Sequence, residues 1–206
     1  MDNYEYKLHN TISKEIKNYK NVNILEFGVR KGVSTKLFLD HASKNNCKVY
    51  SVDIIDYSKN FNDQNWTFIK SKDDSFDYIK NKIPDEFKVI YLDTLHEANH
   101  VEKIIYNYYD LLSLDGLFII DDISHLPYLK NNEQSNFYCE INNFETFNKL
   151  LEIYNNNKEN FDLSFSFIDS GNAFFKKKTN QSLNKPKQII TRINSIKNII
   201  RKTVKR

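Results

Sequence analysis

The sequence predicts an α/β fold: a mostly parallel sheet with helices on both faces, ending in an antiparallel hairpin. Three observations lead there. Short apolar runs alternate with stretches of helical periodicity, the pattern of strands buried on both faces of a parallel sheet. The last two runs are joined only by DSGN, residues 169–172, a link that fits a hairpin and not a crossover. Glycine or aspartate also stands at the strand ends, as Gly28, Asp53, Asp93 and Asp121. Open α/β sheets bind ligands outside those ends.

The elements follow in order. Tyr4, Leu8, Ile12 and Ile16 recur at i+4 and predict an amphipathic helix over 4–19. Residues 22–27 are the first strand, and Ser34-Thr35 opens a helix with Leu37, Phe38 and Ala42 on its apolar face. Strands at 48–52 and 66–69 precede a helix over 76–83 stopped by Pro84. The fourth strand is 88–92 and the next helix 101–112. Asp115-Gly116 is expected to turn into the wholly apolar strand 117–120, which ends on Asp121-Asp122. A helix over 143–154 and strands at 163–168 and 173–177 complete a seven-stranded sheet. The organisation expected is an N-terminal helix (1–20), one main domain (21–178), a polar linker (179–186) and a basic amphipathic helix (187–206).

A chain of 206 residues can bury a substantial core. Residues 1–20 lack the apolar centre of a secretory signal, and no apolar run approaches the roughly 20 residues of a membrane span. The two cysteines, Cys47 and Cys139, do not suggest a disulfide framework. A cytoplasmic protein is expected. The net charge of +3 hides an asymmetry: all 27 acidic residues precede Ser170, while eleven of the 30 Lys and Arg lie in 176–206.

The first loop reads ILEFGVRKGVST, residues 24–35. It is not a dinucleotide fingerprint, because Arg30 and Val33 replace the second and third glycines, and it is not a P-loop. Gly28 lets the chain turn, Gly32 permits close backbone approach, and the helix start at Ser34 offers N–H groups to an anion. Asp53 is spaced to hydrogen-bond ribose hydroxyls. With Glu26 beside it, this acidic pocket suits a cationic cofactor with one carboxylate, such as S-adenosylmethionine, better than a pyrophosphate.

On these residues the chain resembles class I S-adenosylmethionine-dependent methyltransferases, which have a Rossmann-like fold. It is most similar to the metal-dependent O-methyltransferases that act on sugar hydroxyls of macrolides. Glu26, Gly28, Gly32 and Ser34 match the group's Glu-x-Gly-x-x-x-Gly-x-Ser loop, Asp93 and His96 its Asp-x-x-His, and Asp121-Asp122 its acidic pair. Leu95 departs from the group's second acid in that motif. The resemblance implies S-adenosylmethionine held by Glu26, Gly28, Gly32, Ser34, Asp53 and Asp93, and O-methylation of a small-molecule or glycan acceptor.

The stretch LDTLHEANH, residues 92–100, has a second reading: His96-Glu97-x-x-His100 spells a zinc-peptidase motif. The longer form of that motif fails at Lys103 and Tyr106. The other reading takes Asp93, Asp121 and Asp122 as oxygen ligands for Mg²⁺ or another divalent cation, with His96 as general base. A non-catalytic binding domain of the same fold is the third alternative. His100 is expected to be structural, and His125 to border an acceptor wall with Tyr128, Phe137 and Tyr138.

In the tail, Ile189, Ile193, Ile196, Ile200 and Val204 fall at helical intervals among basic residues. Such a helix suits the inner face of an anionic membrane or a second copy of the chain. Its lack of aromatic residues argues against nucleic acid.

Overall fold

The computed structural model describes residues 3–125, 137–189 and 195–204. The chain runs α1 (Asn3–Asn10), α2 (Ile12–Ile16), β1 (Asn23–Phe27), α3 (Val33–Asn45), β2 (Lys48–Asp53), β3 (Trp66–Lys70), α4 (Phe76–Lys80), β4 (Phe87–Leu92), α5 (Ala98–Tyr108), β5 (Leu112–Asp121), α6 (Phe137–Asn155), β6 (Phe161–Ser166), β7 (Asn172–Lys177) and α7 (Ile196–Val204). The strands form one seven-stranded sheet in the order β3-β2-β1-β4-β5-β7-β6. β3, β2, β1, β4 and β5 pair in parallel. β7 pairs antiparallel with both β5 and β6. This is the expected Rossmann-like architecture with its C-terminal hairpin. The strand order reverses between β1 and β4, which opens a crevice at their carboxyl ends.

Strand alternation decides which helix each side chain meets. Ile24 of β1 and Tyr91 of β4 pack with Leu8, Ile12 and Phe38, on the face of α1, α2 and α3. Leu25, Phe27 and Leu92 pack with Ile104, Tyr108 and Leu150, on the face of α5 and α6. Burying each such Leu, Ile or Phe contributes roughly 1.5–3 kcal/mol. The two apolar layers therefore fix the strand ends that carry the polar residues.

The expected helix over 4–19 is broken at Thr11, whose φ of −118° and ψ of −83° are not helical. Its hydroxyl contacts the Lys7 carbonyl (2.7 Å) and Asn172 Oδ1 (3.1 Å), so a side-chain bond competes with the helix. The expected turn at Asp115-Gly116 is an irregularity inside a longer strand. β5 pairs Leu112 with Phe87, then resumes at Leu117 opposite Val89, and Asp115 takes a φ of 56° between them. α5 begins three residues early, at Ala98, and its last turn tightens into a 3₁₀ turn at Tyr109–Leu111. α4 ends at Lys80, short of Pro84.

The segment expected as a linker lies against the domain. Leu183 packs on the core. Tyr106 donates to the Asn184 carbonyl, Asn156 Nδ2 to the Lys185 carbonyl at 2.9 Å, and the Lys187 N–H to the Glu152 carbonyl at 3.0 Å. Beyond it, α7 leaves Ile196, Ile200 and Val204 exposed. Among the described residues no helix is long and apolar enough to cross a membrane.

Candidate functional site

Two cavities, about 520 and 590 Å³, open at the carboxyl ends of the central strands and share Gly28, Arg30, Asp93 and Thr94. Together they form one cleft. Gly28 sits at their junction with φ +93°, and a Cβ there would lie 2.0 Å from the Asp93 carbonyl oxygen. The need for glycine thus comes first from the backbone after β4, which crosses against this loop. Gly32 (φ +77°) precedes α3, and a Cβ there would meet the Phe61 ring at 2.6 Å. Asp53 ties the loop to the end of β2. Its Oδ2 accepts from the Val29 N–H (2.8 Å) and its Oδ1 from the Ile55 N–H (2.9 Å), while the residue borders the first cavity. The Arg30 N–H also reaches Oδ2 (3.4 Å), so of the roughly four acceptor positions of a carboxylate it is Oδ1 that retains capacity for a ligand.

Glu26 and Ser34 are placed differently from the expectation. Glu26 shares a strand face with Ile24 and points beneath α3, fully buried. Its oxygens accept from Ser34 (2.6 Å), Thr35 (2.8 Å) and Ser51 (2.6 Å). Burial pushes its carboxyl up to about 7, although the three hydroxyls pull the other way. Neither cavity is lined by Glu26. Ser34 borders the second cavity, but its hydroxyl is committed to Glu26 and the residue before α3 is Gly32, so Ser34 does not cap the helix. Both residues brace the loop from below.

The second cavity holds the acids. His96 Nε2 lies 3.2 Å from Asp122 Oδ2 and 3.5 Å from Asp93 Oδ1. One ligand-type atom from each of Asp93, His96 and Asp122 falls within 4.8 Å of the others, a grouping able to hold a metal ion. The expected trio of Asp93, Asp121 and Asp122 is therefore revised in one member. Asp121 is buried, and its carboxylate accepts from Lys7 Nζ (2.5 Å), Asn172 Nδ2 (2.9 Å), the Asp122 N–H (2.9 Å) and Tyr91 Oη (2.7 Å). Those donors occupy both of its oxygens. Asp93 is pushed up to about 6, mainly by burial and then by Asp121, with His96 pulling it down. Its Oδ2 accepts from Tyr4 at 2.8 Å.

The peptidase reading fails on geometry. His96 precedes α5 and faces the second cavity; His100 lies on α5, borders the first, and contacts Asp73 Oδ2 at 2.8 Å. The two imidazoles do not converge. His100 and Thr94 both bond Asp73, so the residue expected to be structural helps build the first cavity. His125 lines neither cavity. Its ring sits 4.9 Å from those of Phe144 and Phe147, and its Nδ1 is buried without a partner among the described residues. Tyr128 and the side chains of Phe137 and Tyr138 lie outside the described residues.

Sequence reasoning missed Tyr4, Lys7, Tyr91, Asp73 and Asn172. Tyr4 reads as part of an apolar stripe with Leu8, Ile12 and Ile16, and Lys7 carries no signal of its own. Only Asp73 carried a local signal: it lies three residues beyond the end of β3, near a strand end as Asp53 is at the end of β2.

Residues 25–123 match the family model described as "Methyltransferase domain". No curated protein matches the chain in sequence. Among solved structures, the MycE methyltransferase from the mycinamycin biosynthetic pathway, in complex with Mg and SAH, superposes with a TM-score of 0.63 at 17% identity over 87% of this chain. A protein assigned as a caffeoyl-CoA O-methyltransferase from Staphylococcus aureus gives 0.62 at 16% identity, over 86% of this chain and 84% of its own. The SAH-bound Podospora anserina methyltransferase PaMTH1 gives 0.58 at 13%, over 76% and 72%. At these identities the likeness is one of fold. The chain spans only about half of the MycE chain, 52%.

Proposed function

We propose that the chain is a class I S-adenosylmethionine-dependent methyltransferase that methylates a hydroxyl oxygen of a sugar or glycan with help from a divalent cation, a reading supported by the methyltransferase-domain match over residues 25–123 and the shared fold. One observation carries the reading: Asp93, His96 and Asp122 converge in a cavity continuous with the glycine-loop cavity. The cofactor would lie across Gly28 with its ribose toward Asp53 and its adenine side toward Asp73. Its methyl group would then face the acids.

The reaction is a substitution at carbon. The acceptor oxygen forms a bond to the methyl carbon, the sulfur–methyl bond breaks, and S-adenosylhomocysteine leaves. His96 takes the hydroxyl proton, and the imidazolium so formed stands between two carboxylates. Asp93 and Asp122 provide the hard oxygen donors that Mg²⁺ or Mn²⁺ prefers. A bound ion would supply Lewis-acid polarisation of the acceptor oxygen. The protein's own work is alignment of oxygen, carbon and sulfur. A sugar acceptor is favoured by similarity to MycE, which has been solved with Mg, SAH and Mycinamycin VI.

The enzyme would act in the cytoplasm, held at an anionic membrane face by its tail. No acidic residue follows Asp169, and α7 exposes an apolar stripe beside Lys197 and Arg201. Calorimetry with S-adenosylmethionine tests the cofactor, and labelled methyl transfer to a panel of glycosides and catechols tests the acceptor. Activity should vanish in EDTA and return with Mg²⁺ or Mn²⁺. Absence of binding at millimolar cofactor would end the methyltransferase reading; full activity in chelator would end metal assistance.

A further inference from the structure

Lys7 is a lysine with no exposed surface, paired with Asp121, which lines the second cavity. Its Nζ lies 2.5 Å from Asp121 Oδ1, 2.6 Å from Ser170 Oγ and 3.9 Å from Asp122 Oδ1, and 4.7 Å from the centre of the Tyr4 ring. A buried ammonium persists only where it is paired, and here the pairing is complete. Burial alone would lower its pKa, but Asp121 and Asp122 more than offset that and hold it above the ordinary lysine value.

The partner is held on both oxygens. Asp121 Oδ1 accepts from Lys7, Asn172 and the Asp122 N–H, and its Oδ2 accepts from Tyr91, so the oxygen beside the ammonium is filled. The Asp122 side chain is 31% exposed, and Asp93 Oδ1 faces His96 across the cavity. Asp93, Asp121, Asp122 and the Lys7 ammonium together carry two net negative charges, in a cavity also bordered by Arg30, Lys31 and Asp169.

Resting on the metal-assisted reading, we infer that Lys7 is a positioning residue: it locks Asp121 in a closed ion pair and confines a divalent cation to Asp93 and Asp122, beside His96. α1 is thereby part of the reaction centre. Lys7 also keeps the cavity from presenting three bare carboxylates, which would bind a cation more tightly and in a different place.

The test is Mn²⁺ titration of the full chain followed by electron paramagnetic resonance, with S-adenosylmethionine calorimetry as the check of folding. Asp122→Asn should weaken Mn²⁺ binding by about 30-fold or more, since a charged ligand is lost. Lys7→Met should tighten it by about 10-fold or more, because Asp121 is released and a positive charge removed. Lys7→Met with Asp121→Asn removes both charges and buries no unpaired ion, so it serves even if the single variant fails to fold. That double variant should stay within about 3-fold of the wild type. A loss matching Asp122→Asn in the double variant would show that Asp121 is a ligand and overturn the inference alone. Wild-type protein that binds S-adenosylmethionine but no Mn²⁺ would overturn the metal-assisted reading and this donor set together.

Discussion

The two cavities of the cleft are built by different means. The first, bounded by Gly28, Asp53, Asp73 and His100, draws its walls from one continuous half of the chain, between β1 and α5. Its bonds are short in sequence: Asp53 to Val29 spans 24 residues and His100 to Asp73 spans 27. The second depends on partners far apart. Tyr4 meets Asp93 across 89 residues, Lys7 meets Asp121 across 114, and Asn172 reaches back 51 to the same carboxylate. Local loops suffice to shape the first cavity, whereas the cluster of acids in the second is paired with groups recruited from elsewhere.

The sharpest way to separate the halves is Asp122→Asn. Turnover should fall by at least about 100-fold, while S-adenosylmethionine affinity stays near wild type. A matching loss of cofactor affinity would show the two cavities to be one binding unit. Next comes Glu26→Gln, beneath the glycine loop. With Glu26 raised from 4.5 to about 7, the native state keeps a proton that the unfolded chain has released, so stability declines as pH rises through that window. The variant should lack this decline, which amounts to roughly 3 kcal/mol by pH 7.5. Its amide can exchange hydrogen bonds with three hydroxyls that rotate. Denaturation curves with the same pH dependence in both proteins would contradict the buried-acid account.

Asp53→Ala should weaken S-adenosylmethionine by about 1–3 kcal/mol in calorimetry and leave Mn²⁺ binding unchanged. Undiminished cofactor affinity would remove the first cavity from the proposal. The smallest effect is expected from truncation after Ile189, which keeps the bond from Lys187 to Glu152. Folding and cofactor affinity should persist while co-sedimentation with anionic vesicles drops. Equal sedimentation of both forms would refute the membrane contact and favour self-association through the tail.

This division also explains what the sequence reveals. Strand-end residues are legible because apolar runs fix where each strand stops, and Gly28, Asp53, Asp93 and Asp122 all reach the cleft as that logic requires. Glu26 misled because it matches a loop motif, although it shares the strand face of Ile24 and so belongs under α3. Lys7 was not legible at all. On a helix with Leu8, Ile12 and Ile16 inward, a lysine beside the stripe reads as solvated, and only its distant carboxylate partner reverses that. The ion pair of Asp121 was hidden for the same reason: nothing near it in the chain announces Lys7 as its partner.

The break at Thr11 leaves α1 as eight residues whose polar anchors are remote. Lys7 closes a span of 163 residues onto Ser170, and Thr11 one of 161 onto Asn172. Closing such loops costs little more than closing shorter ones, but it cannot happen until the hairpin is in place, and long-range contacts form slowly. α1 is therefore expected to dock after the hairpin, and until it does the strand ends of β4 and β5 hold their carboxylates without Lys7 as counter-ion. On the metal-assisted reading proposed above, a divalent cation caught there early would occupy the place of the ammonium, so free metal during refolding should retard the final step.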